Sequence, residues 1–194
     1  RLGKEVYLIL KMNSLEDKKM IKLLYEASNK GVKIRLLVRG MCSLVAGIKG
    51  QSKNIKVISI LDRFLEHGRV YIFGNGGEEK MYIGSADWMT RNLTHRIEVV
   101  TPIMDPDNFK IIRDVIDIQL ADNVKARVID AEQKNDYVKV GKKPELRSQY
   151  DIYEYFKRWK EKVAEPRPAY PCRRVRIGCA DFLGFLVYQD VNLK

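Results

Sequence analysis

The sequence predicts an α/β fold built on one mixed, largely parallel sheet flanked by helices. Short runs of branched apolar residues recur along the chain, as is typical of strands. Segments between them place apolar residues at helical spacing. The first strand, helix and second strand follow one another closely, which favours a parallel β-α-β unit with a right-handed crossover.

The first β-α-β unit opens the chain. A strand is expected over residues 5–12, and a helix then runs from Ser14 to Gly31. Ser14 is expected to cap this helix, because Asp17 three residues later can reach back to the cap N–H. The apolar face of the helix is expected to comprise Met20, Leu23, Leu24 and Ala27. The segment "VKIRLLVRG" follows as a strand buried on both faces.

The middle of the chain is expected to contribute four more strands. They are Ile55–Ile60, a strand from Arg69, the segment "KMYIGS" and the segment "HRIEVVTPI". Gly74, Gly76 and Gly77 mark a tight turn, and the pair Asn75-Gly76 is a hairpin signal. The strand from Arg69 and "KMYIGS" are therefore expected to form an antiparallel hairpin.

Two later segments favour helices. The first begins with Asp105 as its cap and Pro106 at its first position, and "VKARVID" after it is a short strand or an extended segment. Its apolar face is expected to comprise Phe109, Ile112, Ile116 and Leu120. The second helix lies within residues 144–163. Its apolar side is expected to comprise Leu146, Tyr150, Tyr153, Phe156 and Val163.

These elements predict three regions. Residues 1–130 form the α/β domain, residues 131–164 form a basic loop and a helix packed on it, and residues 165–194 form a tail of unassigned role. The chain begins without Met and with a strand already under way, so we expect it to be a fragment of a longer protein. No run approaches the roughly 18 apolar residues that a membrane-spanning helix needs.

Composition narrows the possible partners. The 194 residues carry a net charge of +11 with 45% apolar residues, a soluble globular balance that attracts polyanions. Nucleic acid, an anionic membrane and a phosphate-rich substrate all fit this charge. Cys42, Cys172 and Cys179 are scattered, so they favour neither a disulfide framework nor a zinc site.

His67 is the first candidate site residue. It precedes a strand, and Arg69 lies two residues on, so both side chains are expected on one side of an extended segment. Imidazole and guanidinium together suit a phosphoryl group, because the histidine can attack phosphorus or transfer a proton while the arginine holds the oxygens. Ser85, at the end of the partner strand, is expected near the same point. The alternative is an ordinary surface histidine.

Arg39 is the second candidate. It ends the strand "IRLLVRG", and ligands bind beyond the carboxyl ends of parallel strands in α/β sheets. The alternative is a solvated strand-end arginine. His95 begins a predicted strand without a motif around it, and Trp88, Tyr71 and Tyr82 are interpreted as packing residues.

Four segments in this order resemble the C-terminal catalytic region of the polyphosphate kinase family, the first of two unrelated classes. They are "VRGMCSLVAGIKG", "ISILDRFLEHGRVYIFGNGGEEKMYIGSADWMTRN", "RIEVVTPIMDP" and "LADNVKAR". The resemblance implies a phospholipase D-like fold, in which two related α/β domains face each other and this chain is the second. The pattern at His67, Arg69 and Gly84–Asp87 is similar to the H-x-K and G-S-x-N signature of that superfamily. Arg replaces Lys, Asp replaces Asn and the expected later Asp is missing, which disfavours a phosphodiesterase.

The resemblance also implies an activity, the reversible transfer of the ATP γ-phosphate to inorganic polyphosphate. Mg²⁺ is the implied cofactor, held mainly by the phosphates. Arg39 matches an arginine that contacts ATP phosphates, and His67 matches a histidine that assists transfer or contacts those phosphates. Arg69 and Ser85 are expected only as neighbours of the phosphate site. The histidine that becomes phosphorylated lies in a first catalytic domain, so this fragment is expected to be inactive alone.

The implied partners are ATP or ADP, polyphosphate, and the missing N-terminal and first catalytic domains of the same bacterial polypeptide. A homo-oligomer is expected for the full-length enzyme, in the cytoplasm with peripheral membrane association. Two other functions stay open: a phospholipase D-type phosphodiesterase or transferase, and a non-enzymatic polyanion-binding module. No recognition helix or RNA-binding motif is present, so specific nucleic-acid binding is not expected.

Overall fold

The structure is a computed structural model, and it describes residues 6–141 and 143–162. The predictions for Val163, Cys172, Cys179 and the 165–194 tail lie outside these residues. In the part of the chain that is described, no helix is both long enough and apolar enough to cross a bilayer.

One seven-stranded sheet organises the described residues, with strand order β6-β5-β4-β1-β2-β3-β7. The strands are β1 Tyr7–Met12, β2 Lys33–Val38, β3 Ile55–Ile60, β4 Arg69–Phe73, β5 Lys80–Gly84, β6 Val100–Pro102 and β7 Ala126–Ile129. The helices are α1 Lys18–Asn29, α2 Thr90–Thr94, α3 Pro106–Leu120 and α4 Ser148–Lys162. A 3₁₀ turn at Asn75–Gly77 joins β4 to β5, as the glycines predicted.

The sheet is mixed, as predicted, but its parallel part is smaller than expected. β1, β2 and β3 pair in parallel, whereas the other four pairings among the described strands are antiparallel. The connection between β4 and β5 is too short for a parallel crossover. The segment "VKARVID" contributes β7 at the edge, antiparallel to β3.

Helix α1 packs on one face of the sheet through Met20, Ile21 and Leu24, which are buried in the larger core cluster. The cap prediction was wrong, because Asp17 and not Ser14 caps the helix, accepting a hydrogen bond from the N–H of Met20. The residues before the cap are extended: the N–H groups of Glu16 and Asp17 donate to the carbonyl of Trp88. Leu15 also forms isolated β-bridges with Cys42 and Trp88, so the chain is still extended after Ser14 and the helix begins only after Asp17.

Helix α3 packs on the other face, as predicted. Asp105 caps it and Pro106 begins it. Its apolar residues, which pack in the second core cluster, are Phe109, Ile112, Ile116 and Leu120. The two helices therefore bury opposite faces of one sheet and hold its strand ends at fixed positions.

Two predictions for individual elements were wrong. The aromatic side of α4 is exposed, with Tyr153 67% accessible and Tyr150 and Phe156 also exposed. The first turn of the helix is instead held by polar contacts: the N–H of Ser148 donates to Asp122, and the side chain of Gln149 binds the backbone of Phe64. His95 does not begin a strand: it follows the short helix α2, and β6 starts only at Val100.

Candidate functional site

The sheet topology brings Arg39 and His67 together at one edge. Arg39 follows the carboxyl end of β2, and His67 precedes β4, which runs antiparallel to β1 and so begins at the edge where β1 and β2 end. Arg39 Nη2 lies 3.3 Å from His67 Nδ1. The two residues singled out from sequence are therefore in direct contact.

Arg39 is held in place from two sides. Its Nη2 donates to Asn13 Oδ1 at 2.5 Å, just beyond β1, and its carbonyl accepts from Ser59 Oγ at 3.4 Å. Its Nε is buried and has no hydrogen-bond partner among the described residues. A buried charged donor without a partner is costly, so an acceptor here is expected to stabilise the site.

The contact with Arg39 defines the tautomer of His67. A guanidinium can only donate, so a hydrogen bond at this contact requires Nδ1 to accept, in the tautomer that carries its hydrogen on Nε2. The His67 side chain is exposed. It can therefore present its Nε2–H to a ligand while Arg39 holds the other side of the ring.

Arg69 forms an ion pair with a carboxylate that its spacing did not predict. Its guanidinium is nearly buried and forms a two-point ion pair with Asp87, at 3.2 Å from Nε to Oδ1 and 2.9 Å from Nη2 to Oδ2. Its Nη1 donates to the carbonyl of His67 at 2.8 Å. Arg69 thus fixes the backbone of His67, and a direct contact with phosphate stays a prediction.

Asp87 joins several parts of the site. From sequence it was noted only because it replaces the Asn of the G-S-x-N signature. Besides Arg69, it accepts hydrogen bonds from the backbone N–H groups of Asn13 at 2.7 Å and Ser14 at 3.2 Å. Burial raises the pKa of Asp87, but Arg69 and these N–H groups outweigh burial and hold the pKa below its usual value. The ionised carboxylate thus joins the end of β1 to the start of β4.

Ser85 follows Gly84, which pairs with Arg69 across the β4–β5 hairpin. The hairpin thus returns the chain to the site edge as predicted. The Ser85 hydroxyl donates to the carboxylate of Glu98 and accepts from the N–H of Val99 at 3.1 Å. Its polar contacts are therefore with the segment before β6, and its place as a phosphate-site neighbour stays a prediction.

A pocket lined in part by Arg39 contains three polar side chains that sequence patterns did not indicate: Lys11, Glu66 and Gln119. Lys11 Nζ lies 2.5 Å from Glu66 Oε2 and donates to Gln119 Oε1 at 2.7 Å. The pocket is lined by Lys11, Met12, Leu37, Val38, Arg39, Ile60, Glu66 and Gln119. Burial lowers the pKa of Lys11, an effect that Glu66 opposes. These partners are far apart in sequence, so no local pattern identified them.

The carboxylates near the site are bound by donors of the protein itself. Among residues 6–141 and 143–162, no group of three or more His, Cys, Asp and Glu side chains is placed to hold a metal ion. Asp87 is taken up by Arg69 and two N–H groups, and Glu66 by Lys11 and two glutamine amides. These oxygens already have donors, so neither Asp87 nor Glu66 is assigned as a metal ligand.

Comparisons with known proteins agree with this architecture. A family model described as polyphosphate kinase C-terminal domain 2 matches residues 1–149. The polyphosphate kinase of Escherichia coli strain K12 is 55% identical over 148 residues, which are 76% of this chain and 22% of that protein. The chain thus spans about a fifth of the length of this curated relative.

Two solved structures resemble the fold. The polyphosphate kinase of Porphyromonas gingivalis matches with a TM-score of 0.80 and 46% identity, over 82% of this chain and 24% of that one. Nuc from Salmonella typhimurium, a phospholipase D family member, matches with a TM-score of 0.50 and 14% identity, over 66% of this chain and 85% of that one. The second likeness concerns the fold alone. The chain belongs to the polyphosphate kinase family and corresponds to its second C-terminal domain.

Proposed function

We propose that this chain supplies the ATP- and phosphate-binding part of a polyphosphate kinase active site. In the complete enzyme the γ-phosphate of ATP is transferred reversibly to inorganic polyphosphate. The observation that supports this assignment is the contact between Arg39 and His67 at the carboxyl edge of the sheet. Family membership supplies the reaction class.

The geometry suits a transferring phosphoryl group. Its transition state is loose and spreads negative charge over the oxygens, so positioned donors do most of the catalytic work. Arg39 offers a fixed positive charge whose buried Nε lacks a partner among the described residues. His67 offers its Nε2–H beside it. Together they can bind and orient the donor phosphates and stabilise charge on the oxygens.

Magnesium enters this proposal only with the nucleotide. The carboxylates near the site are occupied by donors, so the ion is expected to be held mainly by phosphate oxygens, as is common for nucleotide-bound Mg²⁺. The ion neutralises phosphate charge when bound. The histidine that is phosphorylated during turnover is assigned to a preceding domain, since neither His67 nor His95 stands in a segment that resembles that domain.

The proposal predicts a catalytic defect for His67→Ala in the full-length enzyme. We expect ATP-dependent polyphosphate synthesis to fall by about 10² or more, because a positioned proton donor or phosphate contact contributes this much. The measurement is kcat and KM for ATP from steady-state rates. His95→Ala is the matched control, because it removes the other histidine of the chain, which is also exposed.

A kcat for His67→Ala within about twofold of wild type is below the usual contribution of a catalytic acid or base and would contradict a catalytic role. Hydrolysis of a phosphodiester by the full-length enzyme would instead favour the phospholipase D-type alternative. One contact argues against that alternative: Arg69, at the position of the signature lysine, is bound by Asp87. This pairing takes up Nε and Nη2 of the guanidinium, which disfavours a lysine-like role for Arg69 in phosphodiester cleavage.

A further inference from the structure

The segment that carries His67 is clamped to two helices through alternate residues. Asp62 accepts two hydrogen bonds from Arg147, at 2.8 and 2.6 Å. Phe64 exchanges backbone hydrogen bonds with the side-chain amide of Gln149, at 2.9 and 2.8 Å. Glu66 is held by a third set of contacts. The side chains of Asp62 and Glu66 and the backbone of Phe64 therefore bind the protein, while the aromatic ring of Phe64 stays exposed.

The carboxylate of Glu66 has the most contacts of this clamp. Its Oε2 accepts from Lys11 of β1 and from the amide of Gln119 of α3. Its Oε1 accepts from Gln149 Nε2 of α4 at 3.0 Å. Gln119 and Gln149 are both buried. One carboxylate thus joins the sheet, α3 and α4 immediately before His67.

We propose that Glu66 is a positioning residue for His67, acting through this clamp without contacting substrate itself. Its neighbour His67 is exposed and its ring contacts Arg39 at a single nitrogen. The ring therefore depends on its backbone for its place. That backbone is fixed on one side by Arg69, through the His67 carbonyl, and on the other side by Glu66. This inference rests on the proposed function of His67.

The test is a double-mutant cycle in the full-length enzyme. Glu66→Gln keeps the shape of the side chain but replaces one acceptor oxygen with an NH₂ group that faces donors. We expect kcat/KM for ATP to fall about tenfold, since small displacements of a catalytic group cost up to about 10²-fold. In a His67→Ala background the same substitution is expected to change the rate less than about twofold, because the residue it positions is gone.

Glu79→Gln provides the matched control. Glu79 is a similarly shielded carboxylate that is paired with Arg113 and accepts a hydrogen bond from Tyr7, at the opposite edge of the sheet. We expect Glu79→Gln to lower thermal stability about as much as Glu66→Gln does, but to leave kcat/KM for ATP normal. This variant separates positioning from a general loss of stability.

Two results would overturn the inference. One is an equal effect of Glu66→Gln with and without His67, and the other is an equal loss of activity in Glu79→Gln. If Glu66→Gln does not fold, Gln149→Glu replaces it in the cycle, because it removes the amide donor and places a second carboxylate beside Glu66. A fully active His67→Ala enzyme would contradict the proposed function itself, whereas a strongly impaired but measurable one with additive effects contradicts only the role of Glu66.

Discussion

At the scale of single residues, the two arginines of the site differ in whether a carboxylate binds them. Arg69 and Asp87 satisfy each other, with side chains 11% and 5% exposed. Arg39 has a histidine and an asparagine as neighbours and no carboxylate among its described partners. An arginine without a carboxylate partner is better suited to bind phosphate than one in an ion pair. This difference favours Arg39 over Arg69 as the direct phosphate contact of the proposed site.

The Arg69–Asp87 pair leads to a prediction for stability. Asp87→Asn is expected to lower the free energy of unfolding by about 3 kcal/mol, because it leaves a nearly buried guanidinium without its counter-charge. Urea denaturation of the 194-residue chain measures this change. Glu26→Gln is the control, because the exposed Lys22–Glu26 pair is expected to contribute little. Equal effects of the two substitutions would contradict the role of Asp87.

The Arg69–Asp87 pair also makes the stability of the fold depend on pH. The folded state holds the pKa of Asp87 below its ordinary value. Its stabilising contribution is therefore present above the ordinary carboxyl pKa and is lost as pH falls through the lowered folded pKa. The stability of Asp87→Asn is accordingly expected to depend less on pH over this acidic range than that of the wild type.

At the scale of elements, Asp122 joins a strand to a helix. Its Oδ1 accepts from the N–H groups of Val124, Lys125 and Ala126 at 2.7 to 3.0 Å, and its Oδ2 accepts from the N–H of Ser148 at 2.8 Å. Burial raises the pKa of Asp122, but these hydrogen bonds outweigh burial and lower the pKa overall. The carboxylate therefore organises the start of β7 and the first turn of α4 together.

Asp122→Ala is therefore expected to loosen α4 before the rest of the molecule. It leaves four N–H groups without their acceptor, each costing about 1–3 kcal/mol if it stays buried. Hydrogen exchange should accelerate in the first turn of α4 and at the start of β7, and mass spectrometry measures it. Asp130→Ala removes a similar acceptor from the more exposed turn at Glu132 and Gln133 and is the control. Unchanged exchange in α4 would contradict this role.

Element boundaries could be predicted well where the signal was local. Ile55–Ile60, the strand from Arg69 and the cap at Asp105 are encoded within a few neighbouring residues, and the structure confirms them. The orientation of α4 could not be predicted this way. Aromatic spacing indicates which residues share a helix face, but the packed face is chosen by distant partners such as Asp122 and Phe64.

The residues of the candidate site could likewise be predicted where the signal was local, but not where it depended on distant partners. Arg39 could be found because ligands bind beyond the carboxyl ends of parallel strands, and His67 because Arg69 lies two residues on in an extended segment. Glu66 and Asp87 were missed as structural centres, since their partners Lys11 and Asn13 lie 55 and 74 residues away along the chain. A carboxylate in a loop looks solvated until the fold shows which donors surround it.

At the scale of the whole molecule, the proposed site lies open to the surface of this chain, because the His67 ring is exposed. The chain also spans 22% of its Escherichia coli relative. The net charge of +11 favours polyanionic ligands in general.

We accordingly expect the isolated 194-residue chain to fold but to show no ATP-dependent polyphosphate synthesis. Circular dichroism checks the fold, and a radiolabelled ATP assay measures polymer formation. The full-length enzyme under the same conditions is the positive control. Clear turnover by the isolated chain would contradict the assignment of the phosphorylated histidine to another domain.

The register of the β4–β5 hairpin limits where residues can be inserted or deleted without disturbing the fold. Side chains alternate with a period of two along a strand, so one residue inserted between Arg69 and Tyr71 would turn Tyr71 out of the core. At the turn Asn75–Gly77, on the far edge of the sheet, an added residue shifts neither strand. Insertions and deletions among relatives are therefore expected to collect at the turn and to be absent from the end that leads to His67.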